Sequence, residues 1–463
     1  MPTTRLSALD SAFLAVETPT AHMHVGWAAV FDPPADRSTP SFEELRNHIG
    51  SRLSRAPRYR QLIRRVPLGF NTPVWTDDPA FDVDRHVMPA ASDRLGEVVE
   101  QSTSEPLPRD RPLWQMSIAP RLEDGRIGLV GKAHHCMVDG IAAVELGSLL
   151  LDPHPDTPAA ELDEWNPRPL PVPARLVGEG MLDLARRPLE LVGVAGRIAN
   201  SPGRLAEIAD RAGQAVRALI GSARPATPVE PLNVPNSPRR HLAQVSRPLD
   251  ELRGIKTAFG TKLNDVILAA SSGAMRRLLS RQGESPIALK AMVPVNVRDR
   301  DDAGELGNRI SFIFVDLPCD EPDPARRLQR VHAETSQRKR AGEPQGADDV
   351  VRSVSLIPTP LQRQVSRFLA SPRAFNLTVS NIPGPRERLY MRGCELKEAY
   401  PIVPLADRHA LAIGVTNVGE SLCFGLYSDQ ESLPEADLLA RDLEESIDEL
   451  VAASSPREGA HIA

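Results

Sequence analysis

The 463-residue sequence predicts an α/β (α+β) protein of two halves, each a mixed sheet flanked by helices, joined by a helical crossover. Two observations carry this. Strand-like and helix-like hydrophobic periodicities alternate over the first ~150 residues, and alternate again from residue 239 to the end. Between these stretches lie two proline clusters, at 153–173 and 225–238, in which neither regular helix nor central strand persists. The expected partition is therefore 1–152, a crossover over 153–238, and 239–463, with a binding cleft between the outer parts.

Taken in order, Ser41 followed three residues later by Glu44 is a capping box, and it opens a helix over about 41–55 whose Leu45, Ile49 and Leu53 share a face. Residues 113–122 and 126–134 read as strands around Glu123-Asp124-Gly125, and Asp-Gly is a strong hairpin signal. Residues 140–151 (GIAAVELGSLLL) are apolar nearly all round, as in a buried helix. In the crossover, 175–224 carries two helical patterns with eight arginines against five acids, fitting either a lipid surface or a charged face turned to solvent. The second half reads as strands at 287–297 and 311–317 and helices at 324–340 and 434–451, the last with Leu439, Leu443, Ile447 and Leu450 in register.

Composition excludes several classes. Fifty-five basic against 61 acidic residues leave a net charge of −6, so no overall cationic field draws the chain to nucleic acid. Cys136, Cys319, Cys394 and Cys423 are scattered without CxxC pairing, which argues against a zinc knuckle or disulfide framework and fits a reducing cytosol. The N-terminal MPTTRLSALDSAF lacks the apolar core of a signal peptide, and no apolar stretch reaches the ~18 residues that span a bilayer. A soluble or peripheral protein is expected.

The most informative stretch is His134-His135-Cys136-Met137-Val138-Asp139-Gly140, spelling HHxxxDG after a strand. At a strand end, adjacent side chains point to opposite faces, so the two histidines diverge and make poor joint metal ligands. A histidine at a cleft can act as general base toward a hydroxyl near neutral pH. Asp139 can hold the loop through an ion pair or orient an imidazole, and Gly140 permits a tight turn. The same alternation argues against a nucleophilic pairing of Cys136 with His135. Asn264-Asp265 also reads as a helix N-terminal cap, the segment at 380–385 as a rigid turn, and Pro112-Leu113-Trp114 as packing at a strand start.

HHxxxDG resembles the motif of the CoA-dependent acyltransferase superfamily, which includes chloramphenicol acetyltransferase and peptide-synthetase condensation domains. Further blocks resemble the bacterial wax ester synthase/diacylglycerol acyltransferase family: LSALDSAFLAVE at 6–17, His24-Val25-Gly26, Pro112-Leu113-Trp114, Asn264-Asp265-Val266, PVNVR at 294–298, Gly307-Asn308 and SNIPGP at 380–385. His22 stands where proline is commoner in that family. The resemblance implies two chloramphenicol-acetyltransferase-like domains and transfer of a long-chain acyl group from acyl-CoA, as substrate, to diacylglycerol or a long-chain alcohol. It implies His135 as general base, Asp139 as a structural residue with Arg298 as its partner, and no metal or cofactor. Asn264, Ser380 or a backbone N–H near Gly140 are candidate oxyanion donors, and Asp265 and Asn381 candidate substrate contacts. It implies a cytoplasmic protein held at the inner membrane or a lipid-droplet surface. The alternatives are another HHxxxDG acyltransferase acting on a polyketide or glycolipid hydroxyl, and a non-catalytic lipid-surface protein.

Overall fold

The computed structural model describes residues 4–36, 38–67, 72–137, 150–158, 164–172, 174–178, 225–296, 310–340, 371–385 and 387–455. Most of the helix expected at 140–151 and of the arginine-bearing pair at 175–224 lies outside these residues. The first half runs α1 (Ala8–Val16), β1 (His24–Asp32), α2 (Phe42–Arg52), β2 (Gln61–Arg64), β3 (Val74–Asp77), β4 (Val87–Pro89), α3 (Leu95–Thr103), β5 (Trp114–Ala119) and β6 (Ile127–His134). The second runs β7 (Arg240–Pro248), α4 (Leu249–Ala258), α5 (Leu263–Arg281), β8 (Leu289–Asn296), β9 (Ile310–Leu317), α6 (Pro324–Arg340), β10 (Leu377–Ile382), β11 (Tyr390–Met391), β12 (Cys394–Ile402), β13 (Leu411–Val418), β14 (Ser421–Asp429) and α7 (Ala436–Ser454). The Ser41 capping box closes as expected: Ser41 Oγ accepts the Glu44 N–H (3.3 Å) and Glu44 Oε2 accepts the Ser41 N–H (2.8 Å).

Two six-stranded mixed sheets form, ordered β11-β12-β1-β6-β5-β4 and β7-β14-β13-β10-β8-β9, with β2-β3 a separate ribbon. Two strands of the first sheet, β11 and β12, come from residues 390–402, an exchange that the partition read from the sequence did not include. The period of two then sorts each strand between cores. Val25, Ala29 and Phe31 of β1 pack with Leu45, Ile49, Trp114 and Met116. Ala28 and Val30 face the other way, into a core shared with Tyr400, Ile402, Ala412, Cys423 and Tyr427 between the sheets. The largest core surrounds α5, whose apolar residues are buried along most of its length against α4, α6 and α7. Among the described residues, no helix is long and apolar enough to cross a membrane.

The sheets touch where β12 crosses β13 and β14. Gly414 and Gly425 are directly paired there, and Pro401 of β12 lies over both. A Cβ at residue 425 would stand 2.5 Å from the Pro401 carbonyl oxygen, and one at residue 414 would stand 2.7 Å from the Pro401 Cβ. Only glycine admits this approach. A second tie is polar. His241 of β7 sits between Glu100 of α3 (Nδ1 to Oε1, 2.7 Å) and Asp437 of α7 (Nε2 to Oδ1, 3.0 Å). Burial alone would depress its pKa, but the two carboxylates outweigh burial and raise it above the ordinary value.

Two predictions follow from these ties. Gly425→Ala has to part the sheets or bend β12, and urea titration should show a loss of about 1–3 kcal/mol, as for overpacking elsewhere. For His241 the folded pKa exceeds the unfolded one, so its stabilisation is complete below about pH 6.5 and is lost as pH rises through the folded value. The stability advantage of the natural protein over His241→Gln should therefore shrink as pH rises above about 6.5. An advantage that grows with pH would contradict the assignment.

Candidate active site

β6 lies between β1 and β5, and its register with β1 sets His134 opposite His24. The strand end is held by backbone bonds from two sides: His134 N–H donates to Leu113 O and His135 N–H to Met23 O, both at 2.9 Å. Met23 immediately precedes β1 and adopts a left-handed backbone, φ 51°, uncommon for a residue with a side chain. The two imidazoles then part. His134 is 1% exposed, on the same face of β6 as Lys132, while His135 is only half-buried and lies flat against Phe13 of α1, ring centroids 3.8 Å apart and planes within 10°.

His134 Nδ1 accepts the Cys136 N–H at 3.1 Å, which puts the proton of the neutral ring on Nε2. That Nε2 is 3.8 Å from Glu17 Oε2, and Glu17 is ion-paired with Arg109. Burial pushes the His134 pKa well below the usual range, and the charges of Arg109 and His135 push it the same way, so the ring is a neutral, tautomer-fixed group. His24 is likewise held neutral by burial, with Lys132, His22 and His134 adding to the effect, and neither of its ring nitrogens has a hydrogen-bond partner among the described residues. His22 packs its ring 5.2 Å from that of His24 and directs Nε2 at Pro19 O, 2.9 Å away. Lys132 Nζ donates to Glu105 O (2.8 Å), and burial pulls its pKa down to about 8.

Cys136 is buried, and burial pushes its thiol up to about 12, so it stays protonated and unreactive at neutral pH. Asp139, Gly140 and Arg298 lie outside the described residues. Residues 150 and 152 are tied to α2. Leu150 O accepts from His48 Nε2 (3.0 Å), and Asp152, buried, receives Arg52 Nη2 at 2.8 and 2.6 Å on its two oxygens. Asp152 also exchanges two backbone bonds with Tyr390 of β11, at 2.8 Å each.

The remaining candidates belong to the second half. Asn264 stands half-buried in the first turn of α5. Asp265, one residue on, is fully engaged: it accepts the Lys262 N–H (3.0 Å), Thr335 Oγ1 (2.7 Å) and a bond from His332 Nδ1 (2.7 Å). The helix-cap reading of Asn264-Asp265 thus holds for Asp265, which closes the α5 N-terminus from its third position and ties α5 to α6. Ser380, buried, and Asn381 lie in β10, beside Gly414 and Val415 of β13. The turn after them presses on the end of β13: Gly384 N–H donates to Asn417 Oδ1 (3.2 Å), and a Cβ on Gly384 would stand 1.6 Å from Asn417 O. Trp114 packs as expected, its Nε1 donating to Tyr59 O (2.7 Å) and its ring stacking on His86.

Phe13, Glu17, Met23, Lys132 and Arg109 surround the histidines without having been singled out as site residues in the sequence. The available signal was LSALDSAFLAVE at 6–17, one of the blocks that resemble the family, and it pointed to the segment and not to the contact. Among the described residues, no group of three or more His, Cys, Asp or Glu is arranged to hold a metal ion.

The inertness of Cys136 is testable. Iodoacetamide at about pH 8 should leave Cys136 unmodified in the folded protein and alkylate it only after denaturation, as read by peptide mass spectrometry, because the thiolate fraction at that pH is negligible.

Comparison with known proteins bears on the family and the fold. The catalytic-domain profile of wax ester synthase/diacylglycerol acyltransferase matches residues 6–267, and the profile of the corresponding C-terminal domain matches residues 306–451. Two probable diacylglycerol O-acyltransferases of Mycobacterium tuberculosis are 29% and 30% identical, the alignments covering 98% and 95% of this chain and 97% of each relative. The wax ester synthase/diacylglycerol acyltransferase from Marinobacter aquaeolei VT8 superposes with TM-score 0.69 at 24% identity, over 97% of this chain and 99% of that one. The first condensation domain of the calcium-dependent antibiotic synthetase superposes with TM-score 0.60 at 14% identity, over 100% and 99%. The fold is thus the chloramphenicol-acetyltransferase-like one that the resemblance implied.

Proposed function

The chain belongs to the wax ester synthase/diacylglycerol acyltransferase family of acyltransferases, and from that premise we propose that it transfers a long-chain acyl group from acyl-CoA to the free hydroxyl of a diacylglycerol or a fatty alcohol, with His135 as general base. The observation that carries the assignment is the division between the two histidines: His134 is buried, neutral and committed through Nδ1, while the ring of His135 is half-buried. The imidazole of His135 takes the hydroxyl proton as the acceptor oxygen attacks the thioester carbonyl. The tetrahedral intermediate collapses with cleavage of the C–S bond, and the imidazolium returns the proton to the departing CoA thiolate. The acyl group moves directly between substrates, in keeping with the protonated, buried Cys136, and this sequence of steps needs no cofactor.

The intermediate's oxyanion requires a donor. Asn264, Ser380 and a backbone N–H beside Gly140 are the candidates, with Asn381 a candidate substrate contact, while Asp139, paired with Arg298, would hold the motif loop. Products this apolar belong at a lipid surface, so a cytoplasmic protein attached peripherally to the inner membrane or to lipid droplets fits the reaction. The arginine excess at 175–224 is the sequence feature that favours such contact.

Purified protein with palmitoyl-CoA should release CoA thiol only when diolein, hexadecanol or another acceptor is supplied, and product chromatography identifies which. His135→Ala should lower kcat at least about 100-fold while its melting transition is kept, the usual scale for loss of a general base. Near-natural turnover in that variant would sink the mechanism.

A further inference from the structure

The segment at 6–17 takes no part in the chemistry described so far, yet its helix is held firmly against the histidine turn. α1 starts with a capping box in which Ser7 Oγ accepts the Asp10 N–H (3.0 Å) and Asp10 Oδ2 accepts the Ser7 N–H (3.3 Å). Just before it, Leu6 N–H donates to Pro73 O (2.9 Å) and Trp75 N–H to Thr4 O (2.8 Å), which ties the helix entry to β3. Just after it, Glu17 pairs with Arg109 and approaches His134 Nε2 at 3.8 Å. Between these anchors, Phe13 and Leu14 pack on a small apolar cluster of Leu6, Trp75, Leu107, Leu113 and Cys136, the last being the neighbour of His135.

We propose that Phe13 is a positioning residue that fixes the plane of the His135 imidazole for proton transfer. The Met23 carbonyl holds the backbone of His135, and a main-chain bond does not by itself set the plane of the ring, whose second torsion is broad. A ring lying 3.8 Å away and within 10° of parallel restrains that plane, because tilting the imidazole out of it drives its edge into the face of Phe13. Proton transfer is sensitive to misalignment of this kind. An aliphatic side chain fills similar volume but offers no flat face. The proposal rests on His135 being the base, and it adds the element that aims it.

The test uses the full chain with palmitoyl-CoA and diolein, comparing Phe13→Leu, Phe13→Met, Phe13→Tyr and His135→Ala, each checked for an intact melting transition. The two variants without a ring should lose about tenfold in kcat while KM for palmitoyl-CoA stays within about twofold, and Phe13→Tyr should restore kcat to within about twofold of the natural protein. In the natural protein the His135 Cε1–H resonance, identified by its loss in His135→Ala, should be displaced upfield by the ring current of Phe13, a readout that does not depend on how the variants fold. Natural kcat in Phe13→Leu and Phe13→Met, equal impairment in Phe13→Tyr and Phe13→Leu, or an undisplaced resonance each overturns the proposal. Retained turnover in His135→Ala instead removes the base assignment, so the two failures are told apart.

Discussion

β12 belongs to both halves at once, by hydrogen bonds to the first sheet and by packing to the second. It pairs along β1 from Gly26 opposite Ile402 to Asp32 opposite Glu395, and it lays Pro401 on the Gly414–Gly425 pair. β1 in turn carries β6 on its other edge, with His24 opposite His134. The position of the histidine pair relative to the second half is therefore set through three consecutive strands, each locked in register by its ladder. This is a stiffer connection than a covalent linker supplies, since the intervening core of Ala28, Val30, Tyr400, Ile402, Ala412 and Cys423 is buried and close-packed.

That interior holds an unusual density of basic groups: His22, His24, Lys132, His134 and Arg240 are all buried. Arg240 pairs with the buried carboxylate of Asp429, Nη1 to Oδ2 at 3.1 Å, and donates to Ser237 O and Thr20 O. The three histidines meet the cost of desolvation by giving up charge, which is why they lie below the usual imidazole range, while Lys132, pulled down by burial to about 8, remains largely charged at neutral pH. Each neutral imidazole also spares its neighbours a like charge. Protonation of any one would raise the cost for the others, so the three imidazoles are stable in their neutral form.

Elements governed by local periodicity were legible in the sequence: α2 with its capping box, the β5–β6 hairpin, β8, β9, α6 and α7 fall where spacing puts them. The opposed directions of His134 and His135 were legible too, because they follow from strand alternation alone. Long-range pairing was not legible. The β12 stretch CELKEAYPI carries no mark of the sheet it joins, and only the Pro401–glycine fit explains why the second sheet accepts its crossing. Asp265 shows the same limit: its partners His332 and Thr335 lie about 70 residues away, so sequence spacing offers a cap reading but not the tie to α6. Phe13 is equally remote from His135 in sequence, and nothing in the composition of α1 announces the stacking.

The division of labour in HHxxxDG depends on register more than on the residues themselves. Slipping β6 by one position against β1 would exchange the faces of its side chains, turning His135 inward and bringing His134 and Lys132 to the open side. Several interactions oppose that slip: eight paired positions with β1, the bond from His134 N–H to Leu113 O, the bond from His135 N–H to Met23 O, and the Cys136 N–H on His134 Nδ1. The last of these selects, because a histidine moved into the outer position would meet Phe13 and lose the amide donor that fixes its tautomer. Two chemically identical neighbours are thus given different protonation environments by one strand register, and the left-handed backbone at Met23, which delivers a carbonyl to His135, is part of what keeps that register.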